Sequence, residues 1–330
     1  MKAVQFNSFG AAEVLGVIDL AKPQPEGEEV LIEVSAAGVS FVDIRQRQGA
    51  YNRAETRVGG VKLPNVPGLQ AVGRVIELGP QADKSLLGRK VVVMVERGAY
   101  AELLIASSSL CVAAPDDADD AVLAVLPMQG LTAYFMLTAS TVLRPGESVL
   151  VHAAGSGVGA LAVQIAKILG AGTVVATASS QEKRDFARRI GADVTVEYSV
   201  LGWTKAVLEA TGGHGVDILL ESIGGDVFEQ NFECLATFGR YIIFGSTQGL
   251  GKPLEARRLM TKSQSLTGIY LPAFLVRPNL VREGLKFMVD HVVKGDLHAQ
   301  VAAELPLQQA GKAQQMLEDR QGVGAIVLTP

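Results

Sequence analysis

Cysteine is nearly absent. Cys111 and Cys234 are the two in 330 residues, and they stand far apart, which excludes a disulfide framework. An excess of one charge is also lacking. Thirty Lys+Arg against 34 Asp+Glu leave a formal net charge of −4, so nothing suggests a nucleic-acid partner. Long apolar runs are missing as well. The longest candidate, residues 121–138, is interrupted by Pro127, Gln129 and Gly130 and makes a poor membrane span. The opening MKAVQFNSFG carries no apolar h-region. No signal peptide is therefore expected, and a soluble cytoplasmic protein is the default. The four histidines, His152, His214, His291 and His298, show no ligand spacing.

What is present is apolar and glycine-rich: 48% hydrophobic residues, 19% charged, and 36 glycines. The length allows two domains of ordinary size. The chain is organised around residues 147–177, ESVLVHAAGSGVGALAVQIAKILGAGTVVAT. A short apolar run at 149–151 reads as a strand. A small-residue turn at 153–159 follows, then a helix-length apolar run at 160–169 closed by Gly170, then a second β-rich run at 173–176. Strand, glycine turn, helix and strand make a βαβ unit. Gly155-Ser156-Gly157-Val158-Gly159-Ala160 fits GxGxxA. Such glycines let a pyrophosphate approach the backbone, and the helix start offers free N–H groups and a positive dipole end. The alternative is a tight structural turn in an α/β sheet; position between a strand and a helix favours a dinucleotide.

The second strand bears on which dinucleotide. An NAD site usually places an acid at its end to hold the ribose 2′-OH. Here Thr177-Ala178-Ser179-Ser180-Gln181-Glu182-Lys183-Arg184 puts hydroxyls at the strand end and two cations just beyond. That suits a 2′-phosphate and points to NADP(H) over NAD(H). Glu182 weighs against this, and Lys183 and Arg184 could instead lie on a solvated helix face.

Residues 1–122 read as short β-runs, at 30–36, 73–78 and 90–95, punctuated by glycine and proline, hence a β-rich domain with few helices. From residue 121 helix and strand alternate. Residues 121–137 are helical in composition, although Pro127 and Gly130 must break or bend the helix. Helices are expected at 181–190, 200–211 and 226–235, and strands at 194–196, 216–220, 240–244 and 265–270. The fold class is α/β, with a Rossmann doubly wound parallel sheet of six strands. An amphipathic helix at 280–293 and a strand at 324–328 close the chain.

These motifs carry a resemblance: AAGVSFVDIRQRQGAY (36–51), LPNVPGLQAVGRV (63–75), MQGLTA (128–133), HAAGSGVG (152–159), SSQEKRDFARRIGAD (179–193), GVDILLESIGG (215–225), GRYIIFG (239–245) and LEDRQGVGAIVLTP (317–330). Across essentially its whole length the chain resembles the medium-chain dehydrogenase/reductase superfamily, and within it the zinc-independent quinone oxidoreductase branch. The resemblance implies a GroES-like catalytic domain at 1–122 and 273–330 around a Rossmann domain at 123–272. It also resets the register of the nucleotide turn. The family's GxGxxG glycines fall on Ala154, Ser156 and Gly159, so the GxGxxA match is partly accidental. Zinc-dependent relatives place Cys and a His-Glu pair where this chain has Ser40, Leu69 and Gln70. Leucine cannot ligate zinc, and two cysteines cannot build a four-cysteine structural lobe, so no metal is expected.

Without zinc, hydride needs an acceptor that is already electrophilic: a quinone or another α,β-unsaturated carbonyl. Tyr51 matches the tyrosine closing the family's R-x-G-x-Y motif and is the catalytic candidate, as proton donor; capping a pocket is its other reading. Ser40 stands where the family usually has asparagine. Asp43 matches the family motif, with a structural hydrogen bond as its expected job. His152 is expected to be structural or cofactor-adjacent. For NADPH the resemblance implies contacts from Ser40, Thr132, Gly155, Gly157, Val158, Gly159, Ser179, Ser180, Lys183, Tyr198, Ser222, Ile223, Phe244 and Gly245. It also implies a homodimer paired through residues 265–270. An enoyl reductase on acyl thioesters, or a cofactor-binding protein without turnover, are the alternatives. Residues 52–60 look polar and are expected to shape the acceptor's entrance.

Overall fold

A computed structural model describes residues 1–52, 60–249, 251–320 and 322–330. Most of the segment expected to shape the entrance, residues 53–59, therefore lies outside the described residues. Among them the strands are β1 (Lys2–Gln5), β2 (Gly16–Asp19), β3 (Glu29–Val39), β4 (Gln70–Leu78), β5 (Lys90–Met94), β6 (Leu103–Ser107), β7 (Cys111–Ala113), β8 (Val149–Val151), β9 (Val174–Thr177), β10 (Val194–Val196), β11 (Val216–Glu221), β12 (Leu235–Ile243), β13 (Ser265–Gly268), β14 (Val301–Pro306) and β15 (Ala325–Thr329). The α-helices are α1 (Phe41–Arg47), α2 (Asp120–Ala124), α3 (Leu131–Thr138), α4 (Gly157–Ile168), α5 (Gln181–Arg189), α6 (Trp203–Ala210), α7 (Gly225–Cys234), α8 (Ala256–Met260), α9 (Pro278–Lys294) and α10 (Ala310–Glu318).

The described residues divide into two units. One comprises Met1–Leu131, Pro272–Val293 and Ala299–Pro330; the other comprises Thr132–Leu271 and Lys294–His298. Residues 123–131, grouped by the sequence reading with the dinucleotide domain, fall in the first unit here.

The first unit is built on a sheet ordered β14-β15-β3-β4-β5-β7, with β6 also pairing β3. β3 is its long central strand, antiparallel to β4, β6 and β15. All five residues of β5, KVVVM, are buried, as befits an apolar run with another strand on each side. Val30, Ile32, Val34, Val91, Val93, Tyr100, Ile326 and Leu328 share one core cluster.

The expected interrupted helix has a definite form. α2 is capped by Asp119, whose carboxylate accepts from Ala121 N (2.8 Å) and Val122 N (3.3 Å). Pro127 then opens a π-helical turn, Leu126–Gly130, which leads into α3. A β-carbon at Gly130 would overlap the Met288 sulfur of α9, so the thioether packs directly against the bare turn.

The second unit carries a six-stranded sheet ordered β10-β9-β8-β11-β12-β13, every neighbouring pair parallel. Numbered within the unit this is 3-2-1-4-5-6, the Rossmann order, which reverses between β8 and β11. Expected strands and helices recur with shifted ends. α6 starts at Trp203 rather than near 200, because Gly202 turns left-handed just before it (φ 77°). β12 begins five residues before the expected 240. It accommodates a turn at Phe238, whose φ is 63°. No helix among the described residues is long and apolar enough to cross a membrane.

Candidate functional site

The second unit's site grows from the C-terminal end of β8. The chain leaves the sheet at His152, whose N–H donates to Leu220 O of β11 (3.1 Å). Ala154 N donates to Thr177 O at the end of β9 (3.0 Å). The turn is thereby tied to strands on both sides. Ser156 caps α4, its hydroxyl accepting from Gly159 N at 3.1 Å. A β-carbon at Gly159 would overlap the Ala153 carbonyl oxygen and lie 2.8 Å from its carbon. Glycine is required here so that the helix start can close on the turn. This matches the reset register, in which Gly159 is the third glycine of the motif. Gly155 has a different neighbour: a β-carbon there would lie 2.9 Å from Lys183 Cγ and 3.0 Å from Cδ. The aliphatic stem of Lys183 thus lies along the turn. Gly157 and Val158 open α4.

Lys183 sits in the first turn of α5, where Ser180 is the cap and accepts from Lys183 N (3.3 Å). Ser179 is exposed. Arg184 is committed elsewhere. It pairs with Glu197 (2.8 Å) and donates to Ala178 O (3.3 Å), closing the loop after β9. Of the two cations marked in the sequence, Lys183 lines the turn and Arg184 braces its floor. Tyr198 is half-buried, its ring edge-on to His152 at 6.3 Å.

The loops after β11 and β12 are zipped together: Phe244 N donates to Glu221 O (2.9 Å), Thr247 N to Ser222 O (3.0 Å) and Gln248 N to Ile223 O (2.7 Å). A β-carbon at Gly245 would meet Ser222 Cβ at 3.2 Å. Ser222, Ile223, Phe244 and Gly245 therefore form one rim at the carboxyl ends of these strands, where an open α/β sheet takes its ligand. Thr132 is half-buried in α3.

Sequence reasoning marked His152 as structural or cofactor-adjacent but missed its partners. His152 is fully buried, with Nδ1 2.8 Å from Thr177 Oγ1 and Nε2 2.7 Å from Asn231 Oδ1. Asn231 also donates to Glu221 Oε2 and, at 2.8 Å, to Tyr241 Oη. Glu221 Oε1 accepts from Ile223 N and, at 2.7 Å, from Gly224 N. Polar residues at strand ends, such as Thr177 and Glu221, were the available signal.

In the first unit, Ser40 caps α1 in a reciprocal arrangement with Asp43. Asp43 is fully buried and accepts from Ser40 N and Oγ (both 2.8 Å), Gly68 N (3.2 Å) and Tyr100 Oη (3.2 Å). Burial pushes its carboxyl from an ordinary 3.8 up to about 6, against the opposing pull of those hydrogen bonds. Gln70 is equally committed: Nε2 donates to Gln129 Oε1 (2.7 Å) and Oε1 accepts from Met128 N (2.8 Å). Leu69 is buried and aliphatic. Tyr51 is half-buried in a 3-10 turn, Ala50–Asn52, after α1.

Two family models match: the "Alcohol dehydrogenase GroES-like domain" over residues 26–143 and the "Zinc-binding dehydrogenase" over residues 157–290. Similar proteins include a 2-haloacrylate reductase from Burkholderia, 33% identical over 318 residues, covering 93% of this chain and 92% of that one. A quinone oxidoreductase of Pseudomonas aeruginosa is 31% identical over 100% of this chain and 99% of that protein. The crystal structure of Escherichia coli quinone oxidoreductase complexed with NADPH superposes with a TM-score of 0.91 at 27% identity, covering 100% of both chains. The chain belongs to the medium-chain dehydrogenase/reductase superfamily, in its quinone oxidoreductase branch. The zinc in that family-model description finds no fit here. A serine that caps a helix, an aliphatic side chain and an amide spent on Met128 and Gln129 are not a zinc donor set, and no step runs through a metal.

Asp43 generates a test of stability. Its folded pKa of about 6 lies above the ordinary 3.8, so the folded state holds this proton more tightly. The associated stability is full below about pH 4 and is lost as pH rises through 6, on the order of 3 kcal/mol in all. Asn does not titrate. The stability difference between wild type and Asp43→Asn, measured by denaturant unfolding, is expected to be larger at pH 4 than at pH 7. A difference independent of pH refutes the assignment.

Proposed function

We propose that the chain is an NADPH-dependent, zinc-independent reductase that passes hydride to a quinone or another α,β-unsaturated carbonyl. The observation that carries the cofactor choice is the Lys183 stem lying along Gly155, with the Ser180 cap beside it and no carboxylate at the end of β9. A cation and hydroxyls at that point suit a 2′-phosphate. The glycine turn and the start of α4 are the complementary cradle for the pyrophosphate. Names borne by relatives support the acceptor class. Quinones and 2-haloacrylates both hold a C=C bond conjugated to an oxidised carbon.

When bound, NADPH supplies the hydride. This chain's residues then have three tasks. Gly155, Gly157, Val158 and Gly159 present backbone to the phosphates. Ser179, Ser180, Lys183 and Tyr198 surround the 2′-phosphate. Thr132, Ser222, Ile223, Phe244 and Gly245 orient the nicotinamide end. Hydride adds to the carbon β to the carbonyl, the electron pair moves onto oxygen, and a proton completes the product. Tyr51 is the residue to which we assign that proton or a hydrogen bond to the developing oxyanion. We further assign the working form as a homodimer in the cytoplasm. β13 is the outer strand of its sheet, with Ser265 and Gly268 exposed, and a twofold pairing there would extend the sheet.

Oxidation of NADPH against a panel of quinones and enoyl thioesters tests the reading, and turnover of quinones is expected. Turnover of thioesters alone moves the chain to enoyl reduction. Lys183→Ala is expected to weaken NADPH by about tenfold or more while changing NADH little, as loss of a charge-assisted contact to phosphate would. Equal losses for both cofactors remove Lys183 from the 2′-phosphate. Tyr51→Phe is expected to lower kcat by roughly a hundredfold with NADPH affinity unchanged; an unaltered kcat on every acceptor removes Tyr51 from the chemistry. Sizing at micromolar concentration is expected to give about twice the 34.7 kDa chain mass. A monomer there refutes the dimer.

A further inference from the structure

The buried chain Thr177, His152, Asn231, Glu221 joins the two halves of the second unit's rim. Its polarity can be worked out from its acceptors. Glu221 takes N–H groups from Ile223 and Gly224 on one oxygen and the Asn231 amide on the other. The Asn231 NH2 therefore faces Glu221, and its carbonyl oxygen faces His152. His152 Nε2 is then the donor to Asn231 Oδ1, and it also stands 3.5 Å from Glu221 Oε2. Its Nδ1 is left to accept from the Thr177 hydroxyl. Every link has one direction, and four strand ends take part: β9 through Thr177, β8 through His152, β11 through Glu221 and β12 through Tyr241.

Each end of this chain holds backbone that faces the ligand side. At one end His152 begins the glycine turn. At the other, Glu221 draws the Ile223 and Gly224 N–H groups inward, which leaves the Ser222 and Ile223 carbonyls to accept from Thr247 and Gln248. We infer that His152, Asn231, Thr177 and Glu221 are positioning residues that couple the phosphate turn to the Ser222–Gly224 loop, so that the pyrophosphate and the nicotinamide side of the dinucleotide are gripped as one unit. This rests on the dinucleotide reading above. None of the four is proposed to touch the cofactor.

The chain's one tryptophan provides the readout. Trp203 packs edge-on to His152, with ring centroids 5.4 Å apart. Its emission reports the state of the network, and energy transfer from it to reduced nicotinamide reports binding. NADPH titrations would be run on wild type, Thr177→Val, Thr177→Ser, Glu221→Gln and the double variant Thr177→Val/Glu221→Gln. Each end variant is expected to weaken NADPH by about tenfold and the double variant by no more than about tenfold, because one broken link already uncouples the unit. Thr177→Ser, which keeps the hydroxyl, is expected to stay within about twofold of wild type. KM for the acceptor is expected to be unchanged throughout. If Glu221→Gln does not fold, Tyr241→Phe, which removes the hydroxyl beside Asn231, takes its place in the cycle. Losses that multiply to about a hundredfold in the double variant, or Thr177→Ser as weak as Thr177→Val, overturn the coupling. Wild type binding NADPH with all variants unchanged overturns this inference alone. Wild type binding no NADPH overturns the dinucleotide reading and this inference with it.

Discussion

One backbone contact sets the course of the glycine turn: the approach of Gly159 to the Ala153 carbonyl. A β-carbon at 159 would overlap that oxygen. Only with this position bare can α4 begin so close to the end of β8, and only then do its first N–H groups stand beside the turn. The placement of Ser156 as cap, the packing of the Lys183 stem on Gly155 and the burial of His152 all take their positions from that closure. Ala154 and Ser156 stand where the family pattern has glycine, and Ser156 uses its side chain to cap α4.

The two units solve the problem of buried polar groups by the same means. In each, a carboxylate without exposure takes several donors at once: Asp43 in the first, Glu221 in the second. Glu221 Oε2 also lies 3.5 Å from His152 Nε2. Backbone N–H groups, amides and hydroxyls do the work, so each carboxylate fixes the course of a loop rather than offsetting a charge. Asp43 ties the start of α1 to Gly68 and Tyr100; Glu221 ties the end of β11 to the start of α7.

The parallel sheet was legible because its strands are apolar runs separated by glycine-ended helices, and the order of elements leaves few topologies open. The π-turn at Leu126–Gly130 was legible only as a break, because Pro127 and Gly130 say where a helix must yield but not what replaces it. β2 is exposed along most of its length, and β14, VAAELP, alternates in burial but places small alanines at adjacent positions, so neither carries a clear apolar–polar alternation in sequence and both went unseen. In the site, glycines and Lys183 announced themselves by type and spacing. Thr177, Asn231 and Glu221 did not. Their roles depend on the meeting of side chains from β9, α7 and β11, a long-range arrangement that a polar residue at a strand end hints at but does not specify.

Asn52 gives Tyr51 a second anchor. Its side-chain amide donates to Val61 O (3.0 Å) and its carbonyl oxygen accepts from Val61 N (2.9 Å), so the 3-10 turn Ala50–Asn52 is tied by both halves of one amide to a residue outside α1. Restraint from two directions leaves a short turn fewer conformations than attachment to the helix alone would.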